Sequence, residues 1–397
     1  MPIPWRDAMS QALYGPDGFF VTGAGPADHF RTSVHASPAF AAALLRLVAE
    51  VDSALGHPPR LDVVDVGAGR GELLMSLAVA VGVSGEPAHS GRSGLIPTWS
   101  GSPETLTPAA AVRRSPDEPS SLTGRPSLAE RVRFTAVEYA NRPENLPKEI
   151  HWTTEIPDGI TGLLLATEWL DNVPLDAAVH ADGGWRYVLV EPSTGVETVG
   201  EPANAADLDW LTTWWPGHAS PASLATDPDL GLTWTDGASE SESGLRAEIG
   251  RPRDEAWANA VRKISRGLAV TVDYGHLRNG RPVDGTLTGY RAGRQVPPVP
   301  DGSSDVTAHV AMDSVASAGA AVARCAYSLV SQREALRALG ADGGRPPLSQ
   351  AGTDPAGYVR ALATASAVAE LTDPAGLGGH WWLRQPVGIP LSPAVAR

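Results

Sequence analysis

The sequence predicts an α/β fold: a Rossmann-like open sheet of parallel strands with an N-terminal helical cap and an inserted subdomain or lid. Two observations carry this expectation. Residues 61–75, LDVVDVGAGRGELLM, read as a short apolar strand, a glycine loop and the apolar start of a helix. Residues 160–167, ITGLLLAT, and 267–274, GLAVTVDY, read as buried parallel strands that end beside acids, Glu168 and Asp273.

At 397 residues, 42% hydrophobic and 19% charged, the chain has a globular composition and can bury one large core or two modest ones. A net charge of −14 argues against non-specific binding to nucleic acid or anionic lipid. The single cysteine, Cys325, excludes an internal disulfide and a multi-cysteine zinc site. Its apolar neighbours predict a buried, inert thiol. MPIPWRDAMS has neither the basic nor the apolar region of a secretory signal, and no run reaches bilayer length. A cytoplasmic protein without a membrane span is expected.

Taken in order, Trp5, Ala8, Met9, Ala12 and Leu13 follow the i, i+3, i+4 spacing of an amphipathic helix that stops at Gly15-Pro16-Asp17-Gly18. Ser37-Pro38 reads as the N-cap and first residue of a helix over 39–55. After the glycine loop and its helix, 82–130 is rich in Gly, Ser, Pro and Thr and reads as an irregular insertion. Residues 131–138, RVRFTAVE, form the second strand and end in Glu138, with a weak third strand near 150–153. Residues 175–180 and 185–191 read as a hairpin across Asp182-Gly183-Gly184. A Trp- and Pro-rich stretch then turns acidic before a helix over 254–266. Strands at 286–291, 306–310, 326–330 and 379–385 are expected, with helices near 312–322, 332–339 and 355–370. The implied division is a cap and flap over 1–57, a core over 58–191 and 267–397, and an inserted subdomain over 192–266.

The glycine loop carries the chemistry. Asp65, Gly67, Gly69 and Gly71 occupy alternate positions, where glycine lets the backbone turn tightly and approach a ligand without a Cβ. The G-x-G-x-G spacing is not the dinucleotide fingerprint, and no Gly-Lys-Ser/Thr follows to cradle a triphosphate. An acid two residues before the first glycine suits a cationic or polyhydroxylated nucleoside, the arrangement found in S-adenosylmethionine (SAM) methyltransferases. Glu138, ending the second strand, is placed to accept ribose hydroxyls. It comes about seventy residues after the glycines rather than the usual twenty or so, a gap that the 82–130 insertion explains.

These stretches form an ordered set. It comprises Tyr14-Gly15-Pro16-Asp17-Gly18-Phe19-Phe20, Asp28-His29-Phe30-Arg31-Thr32-Ser33, Asp65-Val66-Gly67-Ala68-Gly69-Arg70-Gly71 and Val137-Glu138. Thr167-Glu168-Trp169-Leu170-Asp171-Asn172-Val173-Pro174, Asp273-Tyr274-Gly275, Gly285-Thr286-Leu287-Thr288-Gly289-Tyr290-Arg291, Asp305-Val306-Thr307-Ala308-His309-Val310 and Ser331-Gln332 complete it. In this order, over most of the chain, it resembles the MidA-like SAM-dependent methyltransferases, relatives of the mitochondrial complex I assembly methyltransferase that modifies a protein arginine. The resemblance implies a class I methyltransferase fold with SAM held by Asp65, Gly67, Gly69, Gly71, Glu138, Thr167 and Glu168. It also implies a flap of Asp28, Arg31, Thr32 and Ser33, with Trp169 walling the pocket. The chain departs from the family where Thr167 replaces an Asn, where Asp171-Asn172-Val173-Pro174 replaces D-A-(L/V)-P, and where Ala27-Asp28-His29-Phe30 replaces Gly-Asp-Phe.

For an arginine acceptor, Glu168 and Asp171, three residues apart after a strand, are the expected catalytic pair. A guanidinium, with a pKa above ~12, does not lose its proton unaided, and two carboxylates can orient it and take the proton. An acid after a strand is also a common helix cap or loop brace. Asp305, Thr307 and His309 offer too few ligands for a metal and read as a hydrogen-bond network. A small-metabolite methyltransferase and a non-catalytic SAM-binding assembly factor stay open as alternatives, as does a homodimer.

Overall fold

A computed structural model describes residues 1–22, 38–83, 126–215, 245–341 and 343–390. Its centre is a seven-stranded sheet built from β1 (Leu61–Val66), β2 (Val132–Val137), β3 (Ile150–Thr153), β4 (Ile160–Thr167), β5 (Ile264–Asp273), β6 (Ser328–Ser331) and β7 (Trp381–Val387). The spatial order is β3-β2-β1-β4-β5-β7-β6, in which β7 alone runs antiparallel to its neighbours. This is the Rossmann-like class I fold that the sequence implied.

Every residue of β1 is buried because helices cover both faces of the sheet. Alternation sorts the side chains. Val63, Leu163 and Leu165 pack with Phe40, Leu44 and Leu47 of α2 (Pro38–Ala54), with Leu74 and Leu77 of α3 (Glu72–Val81), and with Leu371. Val64, Leu164 and Ala166 face Trp257 and Val261 of α4 (Arg251–Arg262) and Val315 of α5 (Met312–Ala323). From β1 the chain winds outward through β2 and β3, then returns to β4 on the other flank of β1. The resulting crevice, beyond the carboxyl ends of β1 and β4, is where open α/β sheets bind ligands.

A second sheet sits apart from the first. Strand Gly184–Val190 pairs with Asp176–Ala181, Ile3–Pro4 and Glu197–Pro202, and Asp176–Ala181 pairs in turn with Arg246–Ile249. Trp5, Met9 and Leu13 of the N-terminal helix α1 (Trp5–Tyr14) pack on it against Leu175, Ala177 and Val188. Trp210, Leu211 and Trp215 pack against Ala178, Ala247 and Ile249. The hairpin expected in the core up to residue 191 therefore belongs to this second sheet, because its strands find their partners there. Helix α4, expected inside the 192–266 insertion, instead packs beneath the core sheet through Trp257, Ala260 and Val261, and β5 begins at Ile264 rather than Gly267. Parts of both long insertions, 84–125 and 216–244, lie outside the described residues.

Two local expectations change. The strand expected over 306–310 splits into Asp305–Thr307 and Val310–Ala311, because Ala308 N–H bonds Asp171 O at 3.3 Å and His309 N–H bonds Thr286 Oγ1 at 2.8 Å. Cys325 is half-buried rather than buried, since it follows the left-handed Arg324 (φ 51°) that ends α5.

Helix α2 is tied to β2 by a buried ion pair. Arg131 Nη1 and Nη2 donate to the two carboxylate oxygens of Asp52 at 2.7 and 2.8 Å, and Nη1 also reaches Pro58 O at 2.8 Å. Replacing Asp52 by Ala leaves that guanidinium buried without its partner. A loss of about 3–5 kcal/mol is expected, read as a lower midpoint in urea denaturation. Adding Arg131→Met should recover part of it.

Candidate active site

The pocket at the sheet switch point is lined by the glycine loop, by the ends of β2 and β4, and by Tyr14, Phe20 and Asp305. The loop runs from Val66 into α3, with Gly67, Gly69 and Gly71 at φ 71°, 57° and 82°. Those left-handed angles suit glycine. Gly67 N–H donates to Val137 O at 3.0 Å, which ties the loop to β2. A Cβ on Gly67 would lie 3.2 Å from Trp169 Cδ1, and one on Gly71 would lie 2.6 Å from Leu146 Cδ1. The loop is thus shaped against two side chains that leave no room for substituents.

Acids surround this cradle. Asp65 is 2% exposed and its Oδ1 has no hydrogen-bond partner among the described residues. Burial, with Glu138 and Glu72 nearby, pushes its carboxyl up to about 8. A buried acceptor without a donor is costly, so a ligand supplying an N–H or O–H fits there. Glu138 accepts from Gly69 N–H at 3.0 Å and from Tyr139 N–H at 2.7 Å, and burial raises its carboxyl. A carboxylate has about four lone-pair sites, so these bonds, with a further one from the Ala140 backbone, leave capacity for a ligand hydroxyl.

The other end of the pocket is the segment after β4. Thr167 is buried at the strand end, Glu168 adopts φ 52°, and Trp169 leans on the glycine loop. The 3₁₀ turn Leu170–Asn172 follows, held by Leu170 N–H bonding Asp273 Oδ2 at 3.0 Å. Asp171 is 3% exposed. Its Oδ2 accepts from Tyr274 Oη and from Thr307 Oγ1, the latter at 2.8 Å, while its Oδ1 has no partner among the described residues. Burial raises the Asp171 carboxyl, and bonds from Tyr274 and Thr307 oppose that rise. Arg253 lies behind the turn. It bonds Val173 O at 3.1 Å, Ala308 O at 2.8 Å, His309 O at 3.0 Å, and Asp171 O. That guanidinium is engaged with main-chain carbonyls.

Of the residues expected from sequence, Asp65, Gly67, Gly69, Glu138, Thr167, Glu168, Trp169 and Asp171 line this one pocket, with Gly71 at the loop's end. The flap residues Asp28, Arg31, Thr32 and Ser33 lie outside the described residues. The Asp305–Thr307–His309 stretch does enter a hydrogen-bond network. Thr307 holds Asp171, and Asp305 Oδ1 accepts from Asn172 Nδ2 at 2.6 Å.

Sequence reading left part of the site unassigned. Tyr14 sends its hydroxyl to Asn172 O at 3.2 Å, and its ring centroid lies 5.3 Å from that of Tyr139 and 5.7 Å from that of Phe20. Phe20 and Asp305 also line the pocket, and Tyr274 holds Asp171 without lining it. Tyr14 opens the first motif, Tyr139 follows Glu138, and Asp305 opens the D-x-T-x-H stretch, but nothing local marks these side chains as pocket-facing.

Known proteins place this architecture. A family model described as S-adenosyl-L-methionine-dependent methyltransferase matches residues 119–329. The mitochondrial protein arginine methyltransferase NDUFAF7 of Danio rerio is 26% identical over 354 residues, 86% of this chain and 74% of that protein. The crystal structure of a COG1565 superfamily member from Burkholderia thailandensis, bound to S-adenosylhomocysteine, superposes with a TM-score of 0.69 at 21% identity. It covers 100% of this chain and 91% of that one. A native COG1565 structure from the same organism gives 0.65 at 21% identity, with coverage of 100% and 90%. The two structures establish likeness of fold, and the family match, over more than half of the chain, establishes that it belongs to the SAM-dependent methyltransferases, with SAM as its cofactor.

Proposed function

We propose that this methyltransferase N-methylates the guanidinium of a protein arginine. The observation that carries the reading is the charge of the pocket. Glu168, Asp171 and Asp305 line it together with Asp65, Glu72 and Glu138, and Arg70 on the glycine loop is the one cation among the described residues that line it. Such a lining favours a cationic acceptor over an anionic or neutral one. The arginine methyltransferase named among the relatives is consistent with it.

When bound, SAM supplies an electrophilic methyl group. The residues then have separate tasks. Asp65, the glycine loop and Glu138 hold the cofactor through the unpartnered Oδ1, the close backbone approach and the remaining lone pairs. Asp171 accepts an N–H of the guanidinium through Oδ1, orients its nitrogen and takes the proton as the N–C bond forms. Trp169 and Tyr14 wall the space and reduce its contact with water, which strengthens these electrostatic contacts.

The test is amino-acid analysis of proteins labelled from methyl-labelled SAM. Label recovered as N-methylarginine supports the reading. Label in a small metabolite instead, or none from a protein that binds S-adenosylhomocysteine, would replace it with the metabolite enzyme or the non-catalytic assembly factor.

Asp65 gives the cofactor site a pH signature. Its free-protein value of about 8 stands above the ordinary 3.8, so the folded state keeps a proton that the unfolded chain releases. The contribution of Asp65 to the stability of the free protein therefore falls as pH climbs from about 4 to about 8. Binding that uses the ionised carboxylate is expected to tighten over the upper part of that window and level off above it. Calorimetry of S-adenosylhomocysteine across pH should show this rise in wild type and a smaller one, confined to lower pH, in Asp65→Asn, where Glu138 still titrates.

A further inference from the structure

Asp305 is the part of the pocket that the mechanism above does not use. It is 1% exposed, lines the pocket, and is fixed by Asn172, the neighbour of Asp171 in the chain. Burial, followed by the charge of Asp171, holds its carboxyl well above the ordinary range. Asp171 contributes the second observation: a side chain more than nine-tenths buried, lining the same pocket, with Oδ1 lacking any partner among the described residues. Two neighbouring buried carboxyls repel one another when both are ionised. Arg253 favours charge on Asp171, but its donors are taken by four main-chain carbonyls and none of those bonds reaches either carboxyl. A cation that enters the pocket and donates N–H bonds supplies both a second positive charge for the two carboxyls and the missing donor. A planar guanidinium does so with a rigid fork of donors that matches carboxylates.

We propose that Asp305 is a substrate-binding residue, which together with the Oδ1 of Asp171 forms the seat for the acceptor's guanidinium. The inference rests on the arginine reading above and alters it in one respect: the gripping pair is Asp171 and Asp305, rather than the Glu168 and Asp171 suggested by their spacing in sequence. Glu168, next to Thr167 at the end of β4, then serves the cofactor side. Each carboxylate is pre-oriented by its own donors, Asn172 for Asp305 and the Tyr274 and Thr307 hydroxyls for Asp171. Pre-orientation lowers the entropy lost on binding.

The experiment uses the full chain saturated with S-adenosylhomocysteine and two probes of like shape, methylguanidinium and neutral methylurea, followed by ligand-detected NMR. Wild type is expected to bind methylguanidinium at least tenfold more tightly than methylurea. Asp305→Asn should weaken methylguanidinium by about tenfold or more, the loss of one charge-assisted contact, with S-adenosylhomocysteine affinity unchanged. Glu168→Gln should move methylguanidinium less than Asp305→Asn does. The Asn side chain still offers an oxygen to Asn172 Nδ2, and retained S-adenosylhomocysteine binding reports the fold; Asp305→Ser serves as a second variant if it does not. Equal methylguanidinium affinity in wild type and in a folded Asp305 variant overturns the seat while leaving the arginine reading standing. A wild type that does not distinguish the two probes overturns the arginine reading itself, and the seat with it.

Discussion

Asp171→Asn is expected to lower methyl transfer to arginine by roughly two orders of magnitude or more while leaving affinity for S-adenosylhomocysteine within about threefold. The substitution keeps the size of the side chain, and the hydroxyls of Tyr274 and Thr307 can still bond its oxygen, so the turn Leu170–Asn172 should keep its shape. What disappears is the proton acceptor. A guanidinium attacks poorly until the proton leaves its nitrogen, and an amide takes no proton at neutral pH.

The same network fixes the pH dependence. Glu168, Asp273 and Asp305 repel charge on Asp171 or share its surroundings. Arg253 and the hydroxyls of Tyr274 and Thr307 favour that charge, and Tyr14 and His309 face it. Removing the Tyr274 hydroxyl by Tyr274→Phe takes away a donor to the ionised form, so the carboxyl rises further. Since the base must be ionised to act, the acid limb of the kcat profile should move to higher pH in Tyr274→Phe. A purely structural loss would scale the profile without displacing it.

Gly67→Val is expected to weaken SAM and S-adenosylhomocysteine binding by about a hundredfold or more. Two effects add. A β-branched residue at φ 71° is strained by a few kcal/mol, and a Cβ would press within 3.2 Å of Trp169. The loop then shifts, and with it the Gly69 N–H that holds Glu138. The loop lies at the edge of the core, so the thermal midpoint should fall only modestly, which separates a lost site from a lost fold. A Gly67→Val protein that binds cofactor normally would mean that the cradle lies elsewhere.

Much of this was legible in the sequence because parallel strands under two helical layers are apolar on both faces. LDVVDV and ITGLLLAT announce themselves, and a glycine loop leaving such a strand points to the switch point. The acids that end those strands could therefore be assigned to one crevice before any contact was known. The hairpin over 176–190 was equally visible as a hairpin but not as part of a second sheet. Its partners, Ile3–Pro4 and Arg246–Ile249, lie far away in sequence, and alternation reveals which face is buried without revealing against what. Asp305 and Tyr274 escaped for the same reason. Each sits in a motif, yet their meeting at Asp171 depends on segments more than a hundred residues apart along the chain folding onto one turn. Glu168 and Asp171, paired by their spacing after a strand, do line one pocket, and φ 52° at Glu168 is a backbone feature that the spacing alone did not announce.

Titration calorimetry of S-adenosylhomocysteine tests the central claim, that the crevice between β1 and β4 is the cofactor site, most directly when wild type is set beside Gly67→Val and Glu138→Ala. Micromolar binding is expected for wild type, lost in the glycine variant and much weakened in Glu138→Ala, with circular dichroism of all three alike. A folded wild type that binds nothing, or variants that bind as tightly as it does, would contradict the assignment.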